Sequence, residues 1–216
     1  MSILSKLFVR NGNKIILHKK NGKICEVAFL IGLDIKFRGK NSTVEIWEPY
    51  KFVKKFGSKK SKIYIDGDDN YIRIKNTKHS IYSLRILGLN NNNKVFIGEN
   101  FFSTGNLQVE FAKCSDLSLS IGDNCMFGQG VNIMLDDFHK IMDLTSGEQI
   151  NKPKKGIFIG NNVWLARDVR VLKDVSIADN TVVATGSIVT KSSFDNNVIL
   201  AGIPAKVVKN NITWGI

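Results

Sequence analysis

His139 is the residue whose type and surroundings could most readily do chemistry. An imidazole exchanges a proton near neutral pH, and Asp137 stands two positions before it, with Asp136 and Asp143 close by. Any of the three carboxylates could fix the ring tautomer and stabilise the imidazolium. The other histidines, His18 and His79, are scattered along the chain, so no three-imidazole zinc set is apparent and no metal is expected. No G-x-S-x-G elbow, Walker loop or G-x-G-x-x-G is present, which leaves covalent serine catalysis and nucleotide-binding motifs without support. A lone histidine is usually structural; the segment that carries this one sets it apart.

That segment interrupts a repeat. From Ile159 the chain divides without a gap into the hexads IGNNVW, LARDVR, VLKDVS, IADNTV and VATGSI. Each opens on an aliphatic residue (Ile159, Leu165, Val171, Ile177, Val183, continued by Val189), and each fifth place is small or β-branched (Val163, Val169, Val175, Thr181, Ser187). A helix needs a period near 3.6 and a simple amphipathic strand a period of 2. A period of six fits short strands ended by corners, with first and fifth places turned inwards so that each coil stacks on the next. Asn, Asp and Gly in the third and fourth places suit the corners.

The phase persists upstream through Ile97, Ser103, Val109, Ser115, Ile121, Phe127 and Ile133, although Lys113 at a fifth place shows it fraying. Earlier still, segments opening at Ile35, Tyr64 and Arg85 each read as strand, Gly, polar corner, strand, which is either a hairpin or one coil of a solenoid. Ile133 and Ile159 are 26 apart, not a multiple of six, so residues 134–158 must leave the coil as a long loop. Regular scaffolds carry their chemistry on such excursions. The expected organisation is a non-repeating segment 1–24, N-terminal coils 25–133 with a basic insertion near 48–62, the loop 134–158, regular coils 159–194 and a C-terminal segment 195–216.

The chain has 216 residues, 43% of them hydrophobic and 23% charged, with 18 Gly and 3 Pro, which excludes a disordered or collagen-like chain. No apolar run is long enough to span a membrane and none has the form of a secretory signal, so a cytoplasmic location is expected. Cys25, Cys114 and Cys125 lack any C-x-x-C spacing and read as small core residues. The net charge of +12 is lopsided: residues 1–62 hold 15 Lys or Arg against 4 acidic residues, whereas residues 63–216 hold 16 against 15. Such a field attracts polyanions. Lys51, Lys54, Lys55, Lys59, Lys60 and Lys62 form the densest cluster, and Phe52, Val53 and Phe56 interleave with them at near-helical spacing, so a peripheral, membrane-surface helix competes with polymer recruitment.

The hexads, the long loop with D-x-H, IGNNVWL and the closing AGIPAKVVK together resemble the hexapeptide-repeat acyltransferases. Within that family, Asp137-Phe138-His139, GEQIN at 147–151, Trp164 and ITWG at 212–215 resemble the bacterial polysialic acid and capsule polysaccharide O-acetyltransferases. The specific motifs cover about half the chain. The resemblance implies an all-β, left-handed parallel β-helix, an exception to the usual right-handed crossover. It implies a homotrimer with sites between neighbouring chains, and acetyl-CoA as cosubstrate.

It also implies roles. His139 would be the general base that activates an acceptor hydroxyl, with Asp137 as first choice of orienting acid and Asp136 or Asp143 as alternatives. Trp164, at an outward sixth place, would lie beside the reacting acetyl group and act through its ring or through its backbone N–H; the plainer reading is an interface aromatic. The pantetheine arm would pass Ala166, Ala184, Gly186 and Ser187. Gly202, Ile203, Pro204, Ala205 and Lys206 would lie near the adenosine end, and Lys191, Lys206 and Lys209 are candidates to meet phosphates. The expected acceptor is a hydroxyl of an acidic surface polysaccharide, such as a sialic acid capsule, and no nucleic acid is expected. The competing readings are acetylation of another sugar, amino-sugar or small acceptor, and a non-catalytic solenoid that binds polyanions.

Overall fold

The structure, a computed structural model, describes residues 11–54, 59–112 and 114–215. Lys55 and Phe56 of the basic insertion, and Lys113, lie outside the described residues. All the regular structure described is strand, arranged as three long parallel sheets that form the faces of a prism. A single regular coil gives Gly156–Ile159 to the first sheet, Trp164–Leu165 to the second and Arg170–Val171 to the third before the next begins at Ser176–Ile177.

The hexad places explain this geometry. The fourth places Asn162, Asp168, Asp174, Asn180 and Gly186 all have positive φ, between 51° and 70°. Asn, Asp and Gly are the residues that tolerate that left-handed conformation, so each hexad turns a corner there. The first and fifth places point inwards and are buried. Inward residues stack in register: Leu17, Ile46, Ile74, Ile97, Ile121, Ile159 and Ile177 form one column along the first sheet. Each apolar contact repeats from coil to coil, so the core is one continuous rod.

Coil length changes along the rod. Ile159 pairs with Ile177, 18 residues on, and Lys94 with Ser118, 24 on; both are multiples of six. Upstream, Tyr71 pairs with Lys94, 23 on, Thr43 with Tyr71, 28 on, and Lys14 with Thr43, 29 on, which breaks the phase. In the 24-residue coil the extra length sits at one corner, where Phe111 is buried and Ser115 accepts a hydrogen bond from the Asn91 amide. Ser115 is therefore a corner residue and not one of the core series.

The stack starts earlier than the periodicity indicates. Lys14–His18, in the segment expected not to repeat, pairs in parallel with Thr43–Trp47, and Ile24–Glu26 folds back antiparallel against it as an end cap. The three ambiguous segments are corners of coils, since in each the two strands belong to different sheets. The basic insertion is partly built into the prism: Phe52–Val53 is a strand paired with Ile81–Tyr82, Phe52 is buried, and Ser61–Ile65 is the next strand. An amphipathic helix through Phe52 and Val53 is excluded by that pairing. Of the cysteines only Cys125 is fully buried; Cys25 and Cys114 are half-buried.

Buried asparagines brace the wide coils. Asn70 Oδ1 accepts from the Asn93 amide and Asn93 Oδ1 from the Leu117 amide, while the Asn93 side chain donates to the Cys114 carbonyl. These bonds satisfy backbone groups that have no water to turn to. Among the described residues no helix is long and apolar enough to cross a membrane.

Candidate active site

The excursion leaves the third sheet after Asn132–Met134 and rejoins the first at Gly156–Ile159. Its return is fixed by Asp174, whose carboxylate accepts from the amides of Lys154, Lys155 and Gly156. Gly156 has φ +104°, and a Cβ there would stand 2.0 Å from the Ser118 carbonyl oxygen, so only glycine lets the strand close on its neighbour. At the tip, Met142 bridges Gln149, and Asp143 accepts from the Thr145 and Ser146 amides at 2.8 Å.

His139 sits just past the exit. The His139 amide donates to the Asp137 carbonyl at 2.8 Å across Phe138, which has φ +65°, so the backbone makes a tight three-residue turn. Asn151 holds that turn from the returning arm of the loop: its side-chain amide donates to the Asp137 carboxylate at 3.0 Å and to the His139 carbonyl at 2.8 Å, and its Oδ1 accepts from the Ile141 amide. The Asp137 carboxylate also pairs with Lys173 of the following coil. Partial burial pushes the Asp137 carboxyl up, but the bonds from Lys173 and Asn151 and the Lys173 charge outweigh it and hold it below the usual carboxylate range.

None of the three candidate acids meets the imidazole. Asp137 is committed to Lys173 and Asn151, Asp136 to the Cys114 thiol, and Asp143 to its own turn. Burial and the Asp136 bond push the Cys114 thiol up to about 12. The His139 ring is exposed, and its nitrogens form no hydrogen bond among the described residues. The loop therefore presents an unencumbered imidazole on a firmly tied backbone. Asn151 and Lys173 are the positioning residues that the residue pattern did not single out. Asn151 stands at the end of GEQIN, whereas Lys173 is marked only by the coil spacing that brings it under the loop.

Trp164 lies in the second sheet, half-buried, with its ring 5.9 Å from that of Trp214, whose indole nitrogen donates to the Asn162 carbonyl at 2.7 Å. The Trp164 amide donates to the Thr181 carbonyl in the ladder, so the side chain alone projects from the sheet. Past it, the Gly128, Ala166 and Ala184 amides donate to the Leu165, Val183 and Leu200 carbonyls in turn, which stacks three small residues along the edge between the second and third sheets. Ala166 is 7% exposed and Ser187 1%, so neither is an open surface residue; the Ser187 hydroxyl points into the coil and accepts from the Gly202 amide. Gly186 is open, and a Cβ on it would meet nothing.

The closing motif forms a hairpin, Ile199–Gly202 against Ala205–Lys209, with Ile203 and Pro204 at its turn. Lys191, Ala205 and Lys206 line one cleft of about 300 Å³ with Phe194, Asp195 and Leu200. Lys209 is exposed on the far strand of the hairpin and does not line this cleft. Among the described residues no group of three or more His, Cys, Asp or Glu is placed to hold a metal ion.

The fold matches that of the polySia-specific acetyltransferase NeuO with a TM-score of 0.71 and 29% identity, covering 95% of this chain and 86% of that one. It matches the polysialic acid O-acetyltransferase OatWY with a TM-score of 0.63 and 28% identity, over 85% and 87% of the two chains. In sequence, the chain is 37% identical over 111 residues to the polysialic acid O-acetyltransferase of Neisseria meningitidis, 51% of this chain and 50% of that protein. Its homologues are polysialic acid and galactoside O-acetyltransferases. The galactoside O-acetyltransferase of Escherichia coli (strain K12) is another, 35% identical over 116 residues, 53% of each chain. The chain spans about half the length of the curated relatives it matches, and no protein-family model matches it. The fold is thus the left-handed parallel β-helix of these acetyltransferases.

On this β-helix the two groups of candidate residues occupy different edges. His139 and its anchor Lys173 stand where the third sheet passes into the first, whereas Trp164 and the small-residue column belong to the second sheet and its edge with the third. The third sheet lies between them.

Proposed function

We propose that this protein transfers the acetyl group of acetyl-CoA to a hydroxyl of an acidic bacterial surface polysaccharide, a sialic acid capsule being the leading acceptor. The reading rests above all on His139: an exposed imidazole on a tied excursion loop, carried by a β-helix with the fold of two polysialic acid acetyltransferases. His139 removes the proton of the acceptor hydroxyl as its oxygen attacks the thioester carbonyl. The tetrahedral intermediate collapses with loss of the thiolate, which takes the proton back from the imidazolium. No acyl-enzyme is required, because the thiolate is a competent leaving group while the alcohol is a poor nucleophile. Asp137 acts here through the loop backbone and not through the ring. With its backbone N–H committed to Thr181, Trp164 contributes its indole face.

Acetyl-CoA runs along the small-residue edge by Ala166, Ala184 and Gly186 towards the cleft with Lys191, Ala205 and Lys206, where the lysines face its phosphates. Because the His139 loop and this edge are apart on one chain, a complete site takes the loop from one copy and the edge from another, in a closed homotrimer. Exposed Phe138, Ile141, Met142, Leu144 and Ile150 on the loop fit a surface covered by such a neighbour. The galactoside O-acetyltransferase relative supports a second reading, a small neutral sugar acceptor. Incubation with acetyl-CoA and a panel of acidic capsule polymers, sugar nucleotides and galactosides, read by mass spectrometry, tests both. Acetylation confined to small neutral sugars would overturn the polymer assignment.

A further inference from the structure

The edge that carries the small-residue column continues towards the N-terminus, where its character changes. It passes Gln129 and Arg167, then Asn106, then reaches Lys59 in the basic cluster. There Lys59, Arg85, Asn106 and Gln108 enclose a cavity of about 190 Å³. Arg85 and Gln108 are partners in the ladder, so their side chains leave the third sheet side by side, and the Ser83 hydroxyl pins the segment at Lys59 by donating to its carbonyl. The Gln108 amide donates to Glu110 on its own strand. Among the described residues Arg85 has no such partner: its Nε is buried without a hydrogen bond, and neither Arg85 nor Lys59 joins an ion pair. Two cationic side chains that line one cavity with no ion-pair partner among the described residues suit an anion, and a guanidinium fork favours one with planar, two-oxygen geometry.

Resting on the acceptor reading above, we infer that this cavity binds a carboxylate of the acidic polysaccharide, held by the Arg85 fork and the Lys59 ammonium. The polymer then lies along the same edge as the cosubstrate and approaches from the N-terminal end, as acetyl-CoA does from the C-terminal end. A pocket removed from the reacting hydroxyl reads a sugar carboxylate several units along the chain, which separates long acidic acceptors from short or neutral ones.

The test measures binding and turnover separately, on the full chain, with a sialic acid homopolymer, its carboxyl-reduced derivative and a short oligomer as probes. Wild type should bind the homopolymer at least roughly tenfold more tightly than the reduced polymer, the expected scale for a charge-assisted contact. Arg85→Gln and Lys59→Gln should each erase most of that preference, raising KM for the polymer but not for the oligomer, with kcat little changed. Arg85→Lys, which keeps the charge and loses the fork, should recover only part of it. Equal binding of both polymers by wild type, or variants that bind like wild type, would overturn the pocket. Retained selective binding without acetylation of any polymer would instead sink the acceptor reading and leave the pocket standing.

Discussion

The side-chain amide of Asn151 lies 2.8 Å from the main-chain carbonyl of His139, so a residue twelve positions beyond the imidazole sets where its turn sits. Asn151 is 8% exposed and bonds the Asp137 carboxylate and the Ile141 amide as well. Asn151→Ala should therefore lower turnover about tenfold or more while leaving the β-helix melting transition almost in place, because the bonds lost are confined to the loop. Parallel calorimetry and steady-state kinetics check this. A drop in stability equal to that of a core variant would refute it.

His139→Ala removes an exposed side chain from a backbone tied by other groups, so the fold should be intact. Turnover should fall by roughly 10² to 10⁴, the usual contribution of a positioned general base. Near-wild-type turnover in the folded variant would end the proposed mechanism.

The Asp137 carboxyl is held below its usual 3.8 by Lys173 and Asn151 against the opposing pull of burial. A depressed folded-state value stabilises the docked loop fully above the unfolded value, and that contribution disappears as pH falls through the folded value. Hydrogen exchange over residues 135–155 should accelerate as pH drops below about 4, after correction for intrinsic rates. Asp143, depressed by its Ser146 and Thr145 bonds, adds to the effect at the tip. Asp137→Asn should weaken docking near residues 137–141 already at pH 7 and flatten the acid dependence there. An unchanged acid profile in that variant would show that Asp137 is not the sensor.

Lys191 and Lys206 share one cleft, so Lys191→Gln and Lys206→Gln should each weaken acetyl-CoA severalfold, with no effect on a phosphate-free acetylated pantetheine. Isothermal titration of EDTA-treated protein measures both. Equal losses for the two donors would place the phosphates elsewhere.

Asn93 satisfies the Leu117 amide and the Cys114 carbonyl from inside the wide coils. Asn93→Ala strands both and opens a void, and should cost about 2–4 kcal/mol in denaturant unfolding. Asn106→Ala, at an exposed corner, should cost far less.

The regular coils were legible because each 18-residue turn is three equal hexads: Val163, Val169 and Val175 take the same inward place ahead of three successive faces, and Thr181 and Ser187 return to the first two. The loop was legible as a gap in that rhythm. The N-terminal coils were harder, since lengths of 23, 28 and 29 residues shift the phase at each turn and leave only local alternation around Ile46 or Ile74. Period alone also could not reach contacts between coils. Lys173 and Asp137 are 36 positions apart, and their pairing depends on how far the excursion folds back over the next turn. Likewise Phe52 and Val53 looked helical in isolation, because their partners Ile81 and Tyr82 supply the strand from a distance.

The 18-residue closure also fixes how this molecule can tolerate changes in length. Losing one residue between Ile159 and Val189 turns every following side chain inside out until a corner absorbs the slip, whereas inserting a whole turn leaves each inward place inward. Upstream, the corner that carries Phe111 and Ser115 already takes up surplus chain without disturbing the strands on either side. Indels should accordingly be accommodated at the wide upstream corners and in the 134–158 loop, and disrupt the fold between Ile159 and Val189 unless they come as complete turns, each adding about 4.8 Å to the height of the prism.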